Sequence, residues 1–247
     1  MTISTLHRKI VLSATIVGTL FLASCEELGF LAEEVGLTEE EVIGGLRQAL
    51  VHGTDTAVTN LNISDGYYGD ELVKILLPEE ALPVYDIIDR LPGNVIEDNI
   101  LAINRAAEDA ATEASPIFVD AIKELTITDG FDILNGDDTA ATSYLRGKTY
   151  QKLFDAFKPK IETSLAKPLV LGISAESMYS ELIGLYNTAS LNGLLFDKIN
   201  SNSLSDHTTN RALKGLFLKV GAEETLIRED PTHRVTAILE KVFAEQD

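Results

Sequence analysis

The sequence predicts an all-α protein, a single compact bundle of about ten helices. Three observations predict it. Apolar residues recur at helical spacing along most of the chain. Capping side chains and prolines punctuate those runs. Alternating strand patterns are scarce. The 247 residues are 45% hydrophobic, enough to bury a core in spite of a formal charge of −19.

The elements follow in order. Thr38 and Glu41 form a capping box before Val42, Ile43, Leu46 and Leu50, which opens a helix over 39–60. Helices are expected next over 70–76, 79–90 and 94–113. In the last of these, Ile96, Ile100, Ile103, Ala107 and Ala110 fall within about 80° at 100° per residue, a stripe that faces a core. Ser115-Pro116 sets a capping side chain before a proline at the first helical position, so a helix is read over 116–125. Further helices are read over 128–134, 138–157, 159–167, 174–190 and 206–229. Leu213, Leu216, Phe217, Val220 and Ile227 form the apolar stripe of the 206–229 helix. Asp230-Pro231 opens a last helix over 231–243. The segments 61–69 and 190–205 collect Gly, Asn and Ser and read as loops within one domain. Leu169–Ile173 reads as a short strand or a loop between Pro168 and the following turn. No repeat at a solenoid period appears.

The first 24 residues read as an address rather than as part of the fold. His7, Arg8 and Lys9 precede a 13-residue apolar run over 10–22, and no acid occurs before Glu26. A helix of that length spans about 20 Å, short of a hydrocarbon core about 30 Å thick. The run fits the core of a secretory signal peptide. It ends in Leu22-Ala23-Ser24-Cys25, which resembles the bacterial lipoprotein signal. There the thiol receives the lipid and becomes the first residue after cleavage. Cys25 is the only cysteine, so no disulfide can form within one chain. The expected organisation is a leader over 1–24, a short acidic linker over 25–37 and an all-helical domain over 38–247. The mature chain would carry 18 basic and 39 acidic residues, a charge of −21. Acyl chains at Cys25 would then hold the body to the membrane. Such an acidic chain is a poor partner for nucleic acid, which is bound by clustered Lys and Arg.

Candidate polar sites are few. Asp129, Asp132, Asp137 and Asp138 suggest calcium, but counting from Asn135 puts Ala140 at loop position 6 and Arg146 at position 12. The EF-hand needs glycine and glutamate there. Helix capping by Asp137 or Asp138 is the alternative. Asn104, Arg105, Glu108, Asp120 and Lys123 form a second group. Asn104 and Glu108 lie about 80° and 120° from the centre of the Ile96 stripe, at the edge of the core. They read either as a polar pocket with a carboxylate for acid–base work or as a hydrogen-bonded network that fixes helix register. Glu224 falls in the middle of the Leu213 stripe, where a charge must be paired. Its expected partners are Arg47, Arg105 or Arg146, or several backbone donors. His52, His207 and His233 have no ligand spacing, so no metal and no cofactor is expected. Neither a Gly-x-Ser-x-Gly elbow nor a phosphate-binding loop occurs. Tyr67-Tyr68 and Tyr179 to Tyr186 could line an apolar groove or fill the core.

Several ordered segments carry a family resemblance. They include Gly45-Leu46-Arg47-Gln48-Ala49-Leu50, Leu76-Leu77-Pro78 and Asn104-Arg105-Ala106-Ala107-Glu108. Pro116 to Ile122, Thr126 to Asp129 and Ile133 to Arg146 follow, then Gly215-Leu216-Phe217, Glu223-Glu224, Ile227-Arg228, Pro231 and Arg234. With these, the chain over almost all of 40–243 resembles the bacterial family known as domain of unknown function 4197. It departs from that pattern at His207-Thr208-Thr209. The resemblance implies a mostly helical, secreted or envelope-located protein, and no reaction. The functional expectation is a non-catalytic helical binding module in the bacterial cell envelope. It would be lipid-anchored at the outer membrane, on its periplasmic or surface face, with an envelope protein as partner. The alternatives are a carrier of a small apolar or lipid ligand and, last, a hydrolase using Glu108, Asp120 and Asp138.

Overall fold

A computed structural model describes residues 37–88, 94–169, 172–191, 193–195, 197–200 and 203–244. The leader, Cys25 and the acidic linker up to Gly36 lie outside the described residues.

Within them the chain forms nine α-helices and no strand. They are α1 (Glu39–Asn62), α2 (Leu82–Ile88), α3 (Val95–Ala111), α4 (Ala114–Lys123), α5 (Ile127–Leu134), α6 (Ala140–Leu165), α7 (Ala175–Ala189), α8 (Leu204–Glu229) and α9 (Ala237–Ala244). Pro168 and Ser174 make one isolated bridge, where Leu169 N–H donates to the Ile173 carbonyl. That is all of the strand reading of 169–173 that forms among the described residues.

The core is built on long helices. Both α3 and α8 pack on α6, while α1 packs on α8, α4 and α9. Leu213, Leu216, Phe217, Val220 and Ile227 are all buried, as the stripe requires. A fully buried side chain of this kind contributes about 1.5–3 kcal/mol. On α3 the buried face is rotated from the expected stripe. Ile96 and Ile100 are only half-buried, whereas Asn104 is fully buried and Glu108 is 4% exposed. The reason is polar: the two side chains find backbone partners, described below.

The helix expected over 79–90 starts as a 3₁₀ turn at Glu79–Ala81 before α2, and four further boundaries differ for a physical reason. No helix forms over 70–76. The Asp70 carbonyl accepts from Val73 and Lys74 N–H, which makes one turn, and then Asn104 claims the backbone of Ile75. The helices expected over 138–157 and 159–167 are one helix, α6, with Pro159 inside it. A proline removes a backbone donor, but Leu153, Phe157, Ile161 and Leu165 continue one buried face across it. Helix α4 begins at Ala114, so Pro116 is its third residue and Ser115 is not its cap. First-turn N–H groups have no partner within the helix, so the proline costs little there. The 231–243 helix is split into a 3₁₀ turn at Pro231–His233 and α9. Between them Arg234, 4% exposed, donates to the Ile227 and Arg228 carbonyls and so closes the C-terminus of α8.

The remaining starts follow the capping chemistry. Thr38 with Glu41 and Thr126 with Asp129 both form complete capping boxes. Ser203 caps α8 through Asp206 N–H. None of the helices among the described residues is long and apolar enough to cross a membrane.

Candidate functional site

The non-helical segment 63–78 between α1 and the 3₁₀ turn at Glu79–Ala81 is a strap laid over α3 and α8. It begins with Asp65 in the left-handed region at φ 67°, a conformation that Asp tolerates better than most residues. Asp65 then pairs with Arg105 at 2.6 Å. Tyr67 and Tyr68 N–H groups donate to one oxygen of Glu108, at 3.2 and 3.3 Å. Arg105 donates to the other Glu108 oxygen at 2.6 Å, and this pairing raises the Arg105 pKa. The Tyr67 hydroxyl donates to the Ala212 carbonyl, and burial pushes its pKa upward. Further along, Asn104 treats Ile75 as a strand neighbour would. Its Oδ1 accepts from Ile75 N–H and its Nδ2 donates to the Ile75 carbonyl, both at 2.8 Å. Asp70 pairs with Lys219 of α8, which lowers the Asp70 pKa. His207 Nε2 donates to the Leu76 carbonyl at 2.8 Å, and burial lowers the pKa of the ring. The close seat on α8 needs Gly215: a Cβ there would lie 3.0 Å from the Tyr67 ring and 3.2 Å from Val73 Cβ.

Thus the buried polar group on α3 holds the strap. Glu108 is committed to the strap: two N–H groups occupy one of its oxygens and a guanidinium holds the other.

The second buried carboxylate is Glu224. Its oxygens accept from Ala141 N–H, Thr142 N–H and the Thr142 hydroxyl, at 2.9, 2.8 and 2.7 Å. The first-turn donors of α6 are therefore satisfied by an anion, where the helix dipole favours one. The charge partner is Arg228, one turn on in the same helix, and not Arg47, Arg105 or Arg146. Arg228 also donates to the Ile133 carbonyl at the end of α5, at 2.8 Å. The pair thus caps two helices at once, negative toward the start of α6 and positive toward the end of α5. Glu176 of α7 repeats the device on α8, accepting from Leu204 and Ser205 N–H.

The other candidates lie apart. Asp120 pairs with Lys123 on the exposed side of α4. Asp129 completes its capping box with Thr126, which lowers its pKa. Asp137 accepts from Thr139 N–H in the turn before α6, and Asp138 is exposed beside it. No group of three or more potential ligands is placed to hold a metal ion among the described residues. Tyr67 and Tyr179 are core residues. Tyr68 is held at the surface by Glu97, with the Lys74 ammonium 4.2 Å from its ring centroid.

Two clefts flank the outer side of the strap. The first, about 340 Å³, is walled by Leu76, Leu82, Tyr85, Ile96 and Ile100. The second, about 310 Å³, is walled by Lys74, Arg146, Arg211, Lys214, Leu72 and Leu218, and no carboxylate lines it. Lys74 and Arg211 belong to both. Leu72 and Leu76 stand 77% and 59% exposed at the rim. Arg146 finds its place here: its guanidinium lies 5.8 and 5.9 Å from the Tyr150 and Phe217 ring centroids. Glu108, Asp120 and Asp138 line neither cleft.

A family model described as "Protein of unknown function (DUF4197)" matches residues 36–244. The chain belongs to this family. No curated protein and no solved structure matches it. The family match spans the whole set of helices, the strap and both clefts.

Reading the sequence for carboxylates and histidines missed Lys74, Arg211 and Lys214. The signal was an absence of acid. No Asp or Glu occurs between Asp206 and Glu223, although acids outnumber bases 39 to 20 in the chain. Within that stretch Arg211, Lys214 and Leu218 fall within about 60° on the face of α8 opposite the Leu213 stripe.

Proposed function

We propose that this member of the family is a lipid-anchored envelope protein, acylated at Cys25, whose helical domain binds a partner or ligand and carries out no reaction. The observation that carries the binding reading is the cleft with four basic side chains and no carboxylate, in a chain of charge −19. Binding needs such an uncommitted, concave surface with a few convergent polar groups. Catalysis needs an acid, base or nucleophile held ready, and the buried carboxylates Glu108 and Glu224, like the half-buried Glu176, are committed to backbone N–H groups. A hydrolase built on Glu108, Asp120 and Asp138 draws no support from their separate placements. The anchor reading rests on Leu22-Ala23-Ser24-Cys25 behind a short apolar run. On that reading the domain sits at the outer membrane, with an envelope protein as its partner.

Metabolic labelling with a fatty-acid probe tests the anchor. The expected result is label on the wild type and none on Cys25→Ser. Equal label on both would overturn it.

A further inference from the structure

We propose that the two clefts beside the strap form one binding site for a single-chain anionic amphiphile, a long-chain fatty-acid carboxylate, with its head in the basic cleft and its chain along the leucine-lined one. This rests on the binding reading above and names the ligand class.

The argument is charge and apolar complementarity across a shared wall. The basic cleft has room for a head group and presents Lys74, Arg146, Arg211 and Lys214 to it. Two of these cations are partly engaged at long range: Lys74 lies 4.0 Å from Glu97, and Arg211 lies 3.9 Å from Glu79. Arg146 and Lys214 have no carboxylate at ion-pair distance among the described residues. Two uncommitted positive charges over an apolar floor of Val73 and Phe217 call for an anion. Arg146 is exposed, with its guanidinium beside the Tyr150 and Phe217 rings, and its flat fork suits a carboxylate. The adjoining cleft offers the opposite chemistry. Leu76, Leu82, Tyr85, Ile96 and Ile100 line it, and Glu79 there is turned to Arg211. An anion without a chain would leave this wall wet. An uncharged chain would leave the two cations unmatched. Only a molecule with both parts uses Lys74 and Arg211 as the boundary between its head and its tail.

The polar clamp on the strap then has a purpose in binding. Asn104, Glu108 and His207 are positioning residues. They fix Ile75, Tyr67 and Leu76, and with them the wall that carries Leu72, Lys74 and Leu76.

The test uses the full chain in phosphatidylcholine nanodiscs, labelled by a diazirine-bearing palmitate and mapped by peptide mass spectrometry. Cross-links are expected on 72–85, 96–100 and 211–218, and unlabelled laurate should compete for them. The double variant Arg146→Gln, Lys214→Gln changes two exposed side chains, so the fold should persist by circular dichroism. It should lower the mapped labelling about tenfold, the size of one charge-assisted contact. Three results would overturn the proposal. One is equal labelling of the double variant. Another is equal competition by dodecyl maltoside, whose head is neutral. The third is cross-linking that spreads over the surface, which would mark a membrane-facing patch rather than a site. The wider binding reading fails separately: it would be lost if the domain proved to turn over a substrate, whatever the palmitate probe does.

Discussion

Glu108 and Glu224 are built alike and do different work. Each is a buried glutamate on a long helix. Each accepts two consecutive backbone N–H groups and an arginine close by in sequence, Arg105 at i−3 for Glu108 and Arg228 at i+4 for Glu224. The difference lies in what owns the N–H groups. Those held by Glu224 start α6, the helix on which α3 and α8 both pack. Those held by Glu108 belong to the strap, which has no ladder of its own. The arginines differ in the same sense: Arg228 is 8% exposed and Arg105 is 38% exposed. One device therefore secures the architecture and the other secures the wall of the candidate site. A carboxylate replaces missing backbone partners in both, because a buried N–H without an acceptor costs about 1–3 kcal/mol.

The largest effect should come from breaking the first. Glu224→Ala would strand the Arg228 charge and leave the first donors of α6 unpaired. Losing one member of a buried pair costs about 3–5 kcal/mol. Urea melts should therefore show more than about 2 kcal/mol lost. Glu223→Ala should stay near about 0.5 kcal/mol, since Glu223 is only half-buried and enters no ion pair among the described residues. Equal and small losses would mean that the paired N–H groups and Arg228 contribute little.

A smaller and more local effect is expected at the second. Glu108→Ala leaves Arg105 able to reach Asp65 and water, so the loss should be about 1–3 kcal/mol. Its distinguishing mark is hydrogen exchange. The Tyr67 and Tyr68 amides should lose protection in this variant while the first amides of α6 keep theirs. In Glu224→Ala the order should reverse. If either variant loosened both regions equally, the two carboxylates would belong to one cooperative unit and the contrast would collapse.

The contrast also separates what the sequence displays from what it hides. Glu224 was legible as a buried, paired charge, because it falls in the middle of a stripe whose other members are apolar. Its partner was not, because Arg228 lies a single turn away on the same helix, whereas Arg47, Arg105 and Arg146 lie on other segments. The helix opened by the capping box at Thr38 was legible for the same local reason. The strap was not. Its conformation is dictated by Asn104, which lies 29 residues beyond Ile75, and by Glu108, about 40 beyond Tyr67 and Tyr68. A local pattern over 70–76 carries no trace of either. The unbroken run of α6 through Pro159 is another case of tertiary packing prevailing over a local signal. The basic cleft needed three segments, the strap, α6 and α8, to bring its cations together.

The smallest effect separates two ways of holding the strap by their pH windows. His207 is neutral in the fold, donating Nε2–H to Leu76, and burial lowers its pKa below the unfolded value of about 6.5. The unfolded chain therefore binds a proton first as pH falls. The contribution is fully present above about pH 6.5 and is lost as pH drops through the depressed folded pKa. Asp70 behaves differently, because the Lys219 pairing lowers a carboxylate instead. Its contribution is present above about pH 4 and disappears only below that range. Between pH 7.5 and 5.5, then, only His207 should weaken the strap. The ring is partly exposed, so the loss should stay under about 1 kcal/mol. Urea melts of the wild type and His207→Gln at both pH values isolate it: the wild type should lose stability by more than the variant, whose amide does not titrate. Palmitate cross-linking to 72–85 should weaken in parallel in the wild type. An identical pH response in both proteins would mean that the strap is held by Asn104, Glu108 and Asp70 without help from the imidazole.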